Sequence, residues 1–277
     1  MKNKLIWIAV IVLILFALAL KLFVKDETIV EKPLDVNIGE EFTVFETENK
    51  KYVLNYTIGD VTGDSINDMI LLIGEKSNIQ DAFSKNVDIV LYDSGNNEYT
   101  KLELKKFSGN NAKIELSDFT GDNVSDIMTI LENDGECKIR IVTFSESNLK
   151  EIFRDKDNKG IYFTINLLDG FKANVTNRKL NVNNMLDLQN EKEIYINKKI
   201  FDASGKLLEN EIKPKTTGII NTELVKLSDC TGLKTTQRII MKDKLNIIDE
   251  ITIVWKYQDG KWQIKEATGL RQGNLLY

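Results

Sequence analysis

The chain has 277 residues, a formal net charge of −5, no histidine and two cysteines. Charges of both signs are dispersed with no basic block, which argues against nucleic acid as a partner. Without histidine, the usual general base near neutral pH and the commonest metal ligand are missing; Cys137 and Cys230 form no CxxC pair, which argues against a zinc site or a disulfide framework and leaves one bridge between them open.

The first predicted element is apolar. Lys2 and Lys4 precede an unbroken apolar run from Leu5 to Leu20; Lys21 interrupts it and Leu22 to Val24 extend it. A helix of about 20 apolar residues spans a bilayer, and a lysine near its end can snorkel. This pattern predicts a signal anchor over residues 1–25, a polar stalk over 26–45 and a β-repeat domain over 46–277. The leading lysines favour a cytoplasmic N-terminus. The alternative is a cleaved signal peptide, since Ala17-Leu18-Ala19 fits a small-x-small cleavage site. Both readings place the remaining chain outside the cytoplasm, with the membrane as a partner in the first.

Beyond the stalk, β-branched, Leu and aromatic residues cluster in runs of roughly 4–8, the length of strands. "IGDVTGDSINDMILLI" (Ile58 to Ile73) places Asp60, Asp64 and Asp68 at spacings of four before an apolar run. "LSDFTGDNVSDIMTIL" (Leu116 to Leu131) repeats the spacing with Asp118, Asp122 and Asp126, 58 residues on. A degenerate third copy, "LSDCTGLKTTQRIIM", starts at Leu227. Aromatics before turns give the same period: Tyr92, Phe144, Phe201 and Tyr257. The segment Ile194 to Leu208 is read as the third of these strand-and-turn units, and Asp259-Gly260 as a tight hairpin turn. The expected fold is all-β: a propeller-like array of about four repeats, preceded by one transmembrane helix.

The acidic stretches read as nine-residue cation loops. Asp60, Thr62, Asp64 and Asp68 stand at positions 1, 3, 5 and 9, and Ile66 at position 7 offers its backbone carbonyl. Asp118, Thr120, Asp122, Val124 and Asp126 repeat the set. Several carboxylates plus a carbonyl suit a hard cation such as calcium, and no Cys or His stands near for a softer metal. Gly63 and Gly121 at position 4 relax the turn, and position 6, Ser65 or Asn123, calls for a left-handed backbone. An EF-hand is rejected: position 12 is Leu71 or Thr129 instead of Glu, and a strand follows instead of a helix. The third copy has Leu233 and Gln237 at positions 5 and 9, so it should keep the turn and lose the metal.

These loops resemble those of the FG-GAP / VCBS repeat family, known from integrin-α-like β-propellers and short membrane-anchored bacterial proteins. The resemblance implies calcium ligands at Asp60, Asp64, the Ile66 carbonyl and Asp68, and at Asp118, Asp122, the Val124 carbonyl and Asp126. Thr62 and Thr120 stand where the family usually has Asp or Asn, and Ser65 and Asn123 where it usually has Gly. No nucleophile elbow, Cys–His pair or phosphate loop is present. The expected function is a non-enzymatic binding or scaffold module with an extracellular protein or glycan partner. The alternatives are an exported polysaccharide hydrolase or lyase, and a purely structural envelope or spore component.

Overall fold

The computed structural model describes residues 35–154, 156–208, 214–241, 247–270 and 273–274. The expected anchor over 1–25 lies outside the described residues. Among those described, no helix is long and apolar enough to cross a membrane.

The fold is all-β. Strands β1 (Lys51–Gly59), β2 (Asp68–Glu75), β3 (Lys85–Asp93) and β4 (Glu98–Glu103) form an antiparallel sheet in chain order. A second sheet repeats this arrangement with β5 (Asn110–Ser117), β6 (Asp126–Asn133), β7 (Glu136–Ser145) and β8 (Asn148–Phe153). The run Met69 to Ile73 in β2 is wholly buried, as a continuous apolar run should be when both faces of its sheet are covered. Side chains alternate across it. Ile70 and Leu72 join Leu91, Ile127, Leu131 and Val142 in a core shared by the first two sheets. Met69, Leu71 and Ile73 face the other way, against Phe42, Val53 and Val90. Residues near the end of the expected stalk thus cover the outer face of the first sheet, where the Phe42 amide donates to the Lys51 carbonyl.

The third sheet departs from the expected repeat. It has three strands, β9 (Thr164–Leu168), β10 (Lys172–Asn177) and β11 (Val182–Asp187). A short helix, α1 (Lys192–Asn197), follows in place of the strand expected to open the Ile194–Leu208 segment. Glu191, Lys192 and Glu193 are good helix formers, and one helical turn buries Tyr195 edge-on against Phe201. The turn expected after Phe201 is present: Phe201 bridges to Leu207, and Asp202 accepts from the Ser204 and Lys206 amides.

The fourth sheet contains β12 (Lys215–Thr216), β13 (Asn221–Lys226), β14 (Thr231–Ile240), β15 (Ile247–Gln258), β16 (Lys261–Gly269) and β17 (Gly273–Asn274). The hairpin at Asp259-Gly260 has the expected chemistry, with φ of +53° and +72°; two consecutive left-handed residues match the twist of the strands they join. In space the fourth sheet lies against the second. The Cys137 amide donates to the Ile219 carbonyl, and Trp262 Nε1 donates to the Ile152 carbonyl at 2.9 Å. The second, third and fourth sheets share one core, in which Phe153, Phe163, Phe171, Tyr195, Ile239 and Trp255 meet. The spacing of nearly two periods between the second and third acidic segments therefore spans a differently built unit, and the two segments end as neighbours.

Candidate functional site

The two intact acidic segments form the β1–β2 and β5–β6 connections, and their backbones match. Gly63 and Ser65 have φ of +83° and +69°; Gly121 and Asn123 have +81° and +69°. Positions 4 and 6 are thus left-handed in both loops, as the sequence predicts for position 6.

The aspartates tie these turns together through the loop amides. Asp60 accepts from the Gly63 amide (2.7 Å) and the Ser65 amide (2.9 Å). Asp64 accepts from the Ile66 amide (2.8 Å). Asp68 reaches back to the Val61 and Thr62 amides (3.0 and 3.2 Å). The second loop repeats all five bonds by position: Asp118 with Gly121 and Asn123, Asp122 with Val124, and Asp126 with Phe119 and Thr120. Backbone N–H dipoles pointing at a carboxylate stabilise its charge, which explains how three aspartates tolerate so short a loop. Asp68 and Asp126 are fully enclosed. Burial pushes both carboxyls above the usual carboxylate range, and the hydrogen bonds from Val61 and Ser94 to Asp68, and from Thr143 and Phe119 to Asp126, oppose that rise.

The first loop is further enclosed by the β3–β4 turn. The Ser94 amide donates to Asp68 Oδ1 at 3.2 Å. A Cβ added to Gly95 would stand 2.1 Å from Asp64 Oδ2 and 3.3 Å from Asp93 Oδ1, so glycine there lets two carboxylates approach the same turn. Sequence reasoning missed Asp93 and Ser94; the acid and serine of "YDSGNNEY" look like ordinary turn residues until the fold folds that turn over the loop. Two hydroxyl oxygens here are buried: Ser94 Oγ has no hydrogen-bond partner among the described residues, and Thr62 Oγ1 lies beside Asp68, whose charge it helps to hold, without a well-formed hydrogen bond. Both belong to residues whose amides hold Asp68. Buried polar atoms without partners call for a water or an ion, and position 3 is where the first loop is expected to offer a hydroxyl ligand. In the second loop the equivalent hydroxyl, Thr120 Oγ1, instead leans on Asp118 at 3.5 Å. Among the described residues no three Asp, Glu, His or Cys side chains form a metal-holding group.

The three acidic segments stand in a row. A Cβ on Gly63 would meet Val124 Cγ2 of the second loop at 2.9 Å, and one on Gly121 would meet the Asp229 carbonyl oxygen of the third at 3.1 Å. The Thr231 amide donates to the Asp118 carbonyl at 2.6 Å, and the Ser117 and Thr231 hydroxyls are 2.6 Å apart. The third copy keeps its turn, closed by the Leu227 amide on the Cys230 carbonyl. Its Asp229 carboxylate accepts from Lys256 Nζ on both oxygens, at 2.6 and 2.8 Å, and from the Ser228 hydroxyl at 3.3 Å, so a tethered ammonium neutralises it. This bond holds the Asp229 carboxyl below its ordinary range and raises Lys256. Leu233 and Gln237 are buried, and Gln237 accepts from the Ile161 amide and donates to the Thr217 carbonyl. Both cysteines are free, so the bridge left open by the sequence is not formed.

Comparison with known proteins gives three findings. The model of the YybI C-terminal domain matches residues 161–269, a span that takes in the third sheet and β12 to β16 of the fourth and leaves the two intact acidic loops outside. The chain is 24% identical over 163 residues to the "Uncharacterized protein YybI" of Bacillus subtilis (strain 168), a match covering 57% of this chain and 62% of that protein. It therefore spans less than two thirds of that relative. A solved rhamnogalacturonan lyase PL11 of Bacillus licheniformis aligns with a TM-score of 0.35 and 13% identity, covering 80% of this chain and 35% of the lyase.

Proposed function

We propose that the chain is a membrane-anchored, extracytoplasmic β-repeat protein that acts as a non-enzymatic binding or scaffold module, with calcium as a structural element of its two intact loops. The observation that supports this best is the recurrence of one five-bond loop in two adjoining sheets, in line with a third turn whose charge Lys256 neutralises. Sheets that bury their faces against one another and repeat the same turn at one end suit a propeller-like array, in which each unit depends on its neighbours. The FG-GAP / VCBS resemblance of the loops points the same way.

Asp60, Thr62, Asp64, the Ile66 carbonyl and Asp68 would hold one calcium ion, and Asp118, Thr120, Asp122, the Val124 carbonyl and Asp126 the other. The ion would neutralise the carboxylate charge that the loop amides offset only in part. Carboxylate oxygens carry two lone pairs; Asp68 Oδ2 and Asp126 Oδ2 each accept two amides already, whereas each Asp60 oxygen and the Oδ1 atoms of Asp64 and Asp122 accept one and retain capacity for a cation. A binding module is preferred to a hydrolase or lyase because the clustered carboxylates hold their own turns. Titration calorimetry of the full chain with calcium tests the reading. The expected result is two ions per chain with Kd of ~10⁻⁴–10⁻³ M, the range of extracellular calcium modules. No heat of binding at millimolar calcium contradicts the calcium part.

A further inference from the structure

We propose that a cleft bounded by the start of β7, residues 159–163 and residues 215–218 binds an anionic glycan. The cleft has a volume of about 450 Å³, within the usual range of ligand pockets, roughly 300–1,000 Å³. Lys138, Lys159 and Lys215 line it. None of these lysines is ion-paired among the described residues. The carboxylate in the lining, Glu136, is held by the Gly218 amide at 2.9 Å. Three ammonium groups against one carboxylate leave the lining net positive on a chain of net charge −5, a local field opposite to that of the whole molecule.

The same cleft presents one aromatic ring. Tyr162 is 72% exposed, between Ile161 and Phe163, which are buried. The Ile161 amide is bonded to Gln237 Oε1 (2.7 Å) and the Phe163 amide to Thr216 Oγ1 (3.2 Å). The Tyr162 carbonyl accepts from Asn177 Nδ2 at 2.6 Å. The backbone is fixed on both sides, so extended alternation holds the ring outward at little conformational cost. A tyrosine combines a flat apolar face with a polar tip, and such a face packs on the C–H face of a sugar ring while ammonium groups take carboxylate or phosphate substituents. A concave site in which Lys138 is half-buried admits a polymer chain better than a flat bilayer. This deepens the binding-module reading and rests on it; it is independent of calcium.

The test uses the full chain in phosphatidylcholine nanodiscs, titrated with alginate (carboxylate), poly(glycerol phosphate) (phosphate), neutral dextran and phosphatidylserine vesicles. The proposal expects binding to at least one of the two anionic polymers, weakened by added salt, and none to dextran; which polymer binds identifies the substituent. K138A/K159A/K215A should lower the affinity at least tenfold, since each charge-assisted contact is worth about tenfold. Y162A should lower it about two- to tenfold. Tm should not change in either variant, because these side chains are exposed or half-exposed. Binding that all four substitutions leave intact, binding to vesicles alone, or no polymer binding would overturn the assignment. Salt-insensitive dextran binding would overturn the anionic class while sustaining the module reading.

Discussion

Asp88 and Lys51 show what a buried charge requires in this protein. Both are buried, and Lys51 Nζ donates to the Asp88 carboxylate and to the Asn86 carbonyl. Removing one partner of such a pair leaves an uncompensated charge. Lys51→Met should therefore lose about 3–5 kcal/mol of stability in urea denaturation, and Lys51→Met with Asp88→Leu should recover most of it. Burial pushes the Asp88 carboxyl up, against the opposing pull of Lys51. The native state then holds that proton to higher pH than the unfolded chain. The contribution of Asp88 to stability is thus greatest in acid and declines as pH rises from the ordinary carboxylate pKa through the raised one. The pH slope of denaturation in that window should flatten in the double variant; an unchanged slope contradicts the assignment. At this scale the sequence was informative about Asp60, Asp64 and Asp68 because fixed spacing is visible in one dimension. It was silent about Asp93, Ser94 and Lys256, whose roles come from strands that the fold sets beside the loops.

At the scale of elements, the loops touch through small residues. Gly63 is left-handed and lies against Val124. Gly63→Ala adds both backbone strain and a clash, and should cost about 1–3 kcal/mol. Val124→Ala in that background should return the steric part and leave the strain, a coupling readable in a double-mutant cycle. Strict additivity of the two substitutions would contradict the contact. The strands around the loops were legible because β2 and β6 are short, apolar and followed by turn residues. The Asp259-Gly260 hairpin was legible because its dipeptide demands two left-handed residues. Helix α1 was not: a six-residue segment with Ile194, Tyr195 and Ile196 has strand-like composition, and its helical turn is selected by the burial of Tyr195 against Phe201.

At the scale of the whole molecule, the second sheet shares a core with the first on one face and with the third and fourth on the other. Residues 35–274 should accordingly unfold in one cooperative transition, seen at the same denaturant midpoint by tryptophan fluorescence and circular dichroism. Trp255 and Trp262 report the fourth sheet, so separate midpoints would show that the sheets are independent. The period in the sequence identified three related turns but not their neighbours in space. A separation of nearly two periods looks like an intervening copy, whereas a three-stranded sheet and a helix fill it and return the chain to the second sheet. The account rests on the two intact loops acting as cation-stabilised turns of this stack. Its most direct test is the thermal melting of the full chain with calcium and with chelator. Calcium should raise the Tm of the natural protein, and Asp64→Ala with Asp122→Ala should abolish the increment. Melting curves that coincide with and without calcium would contradict it.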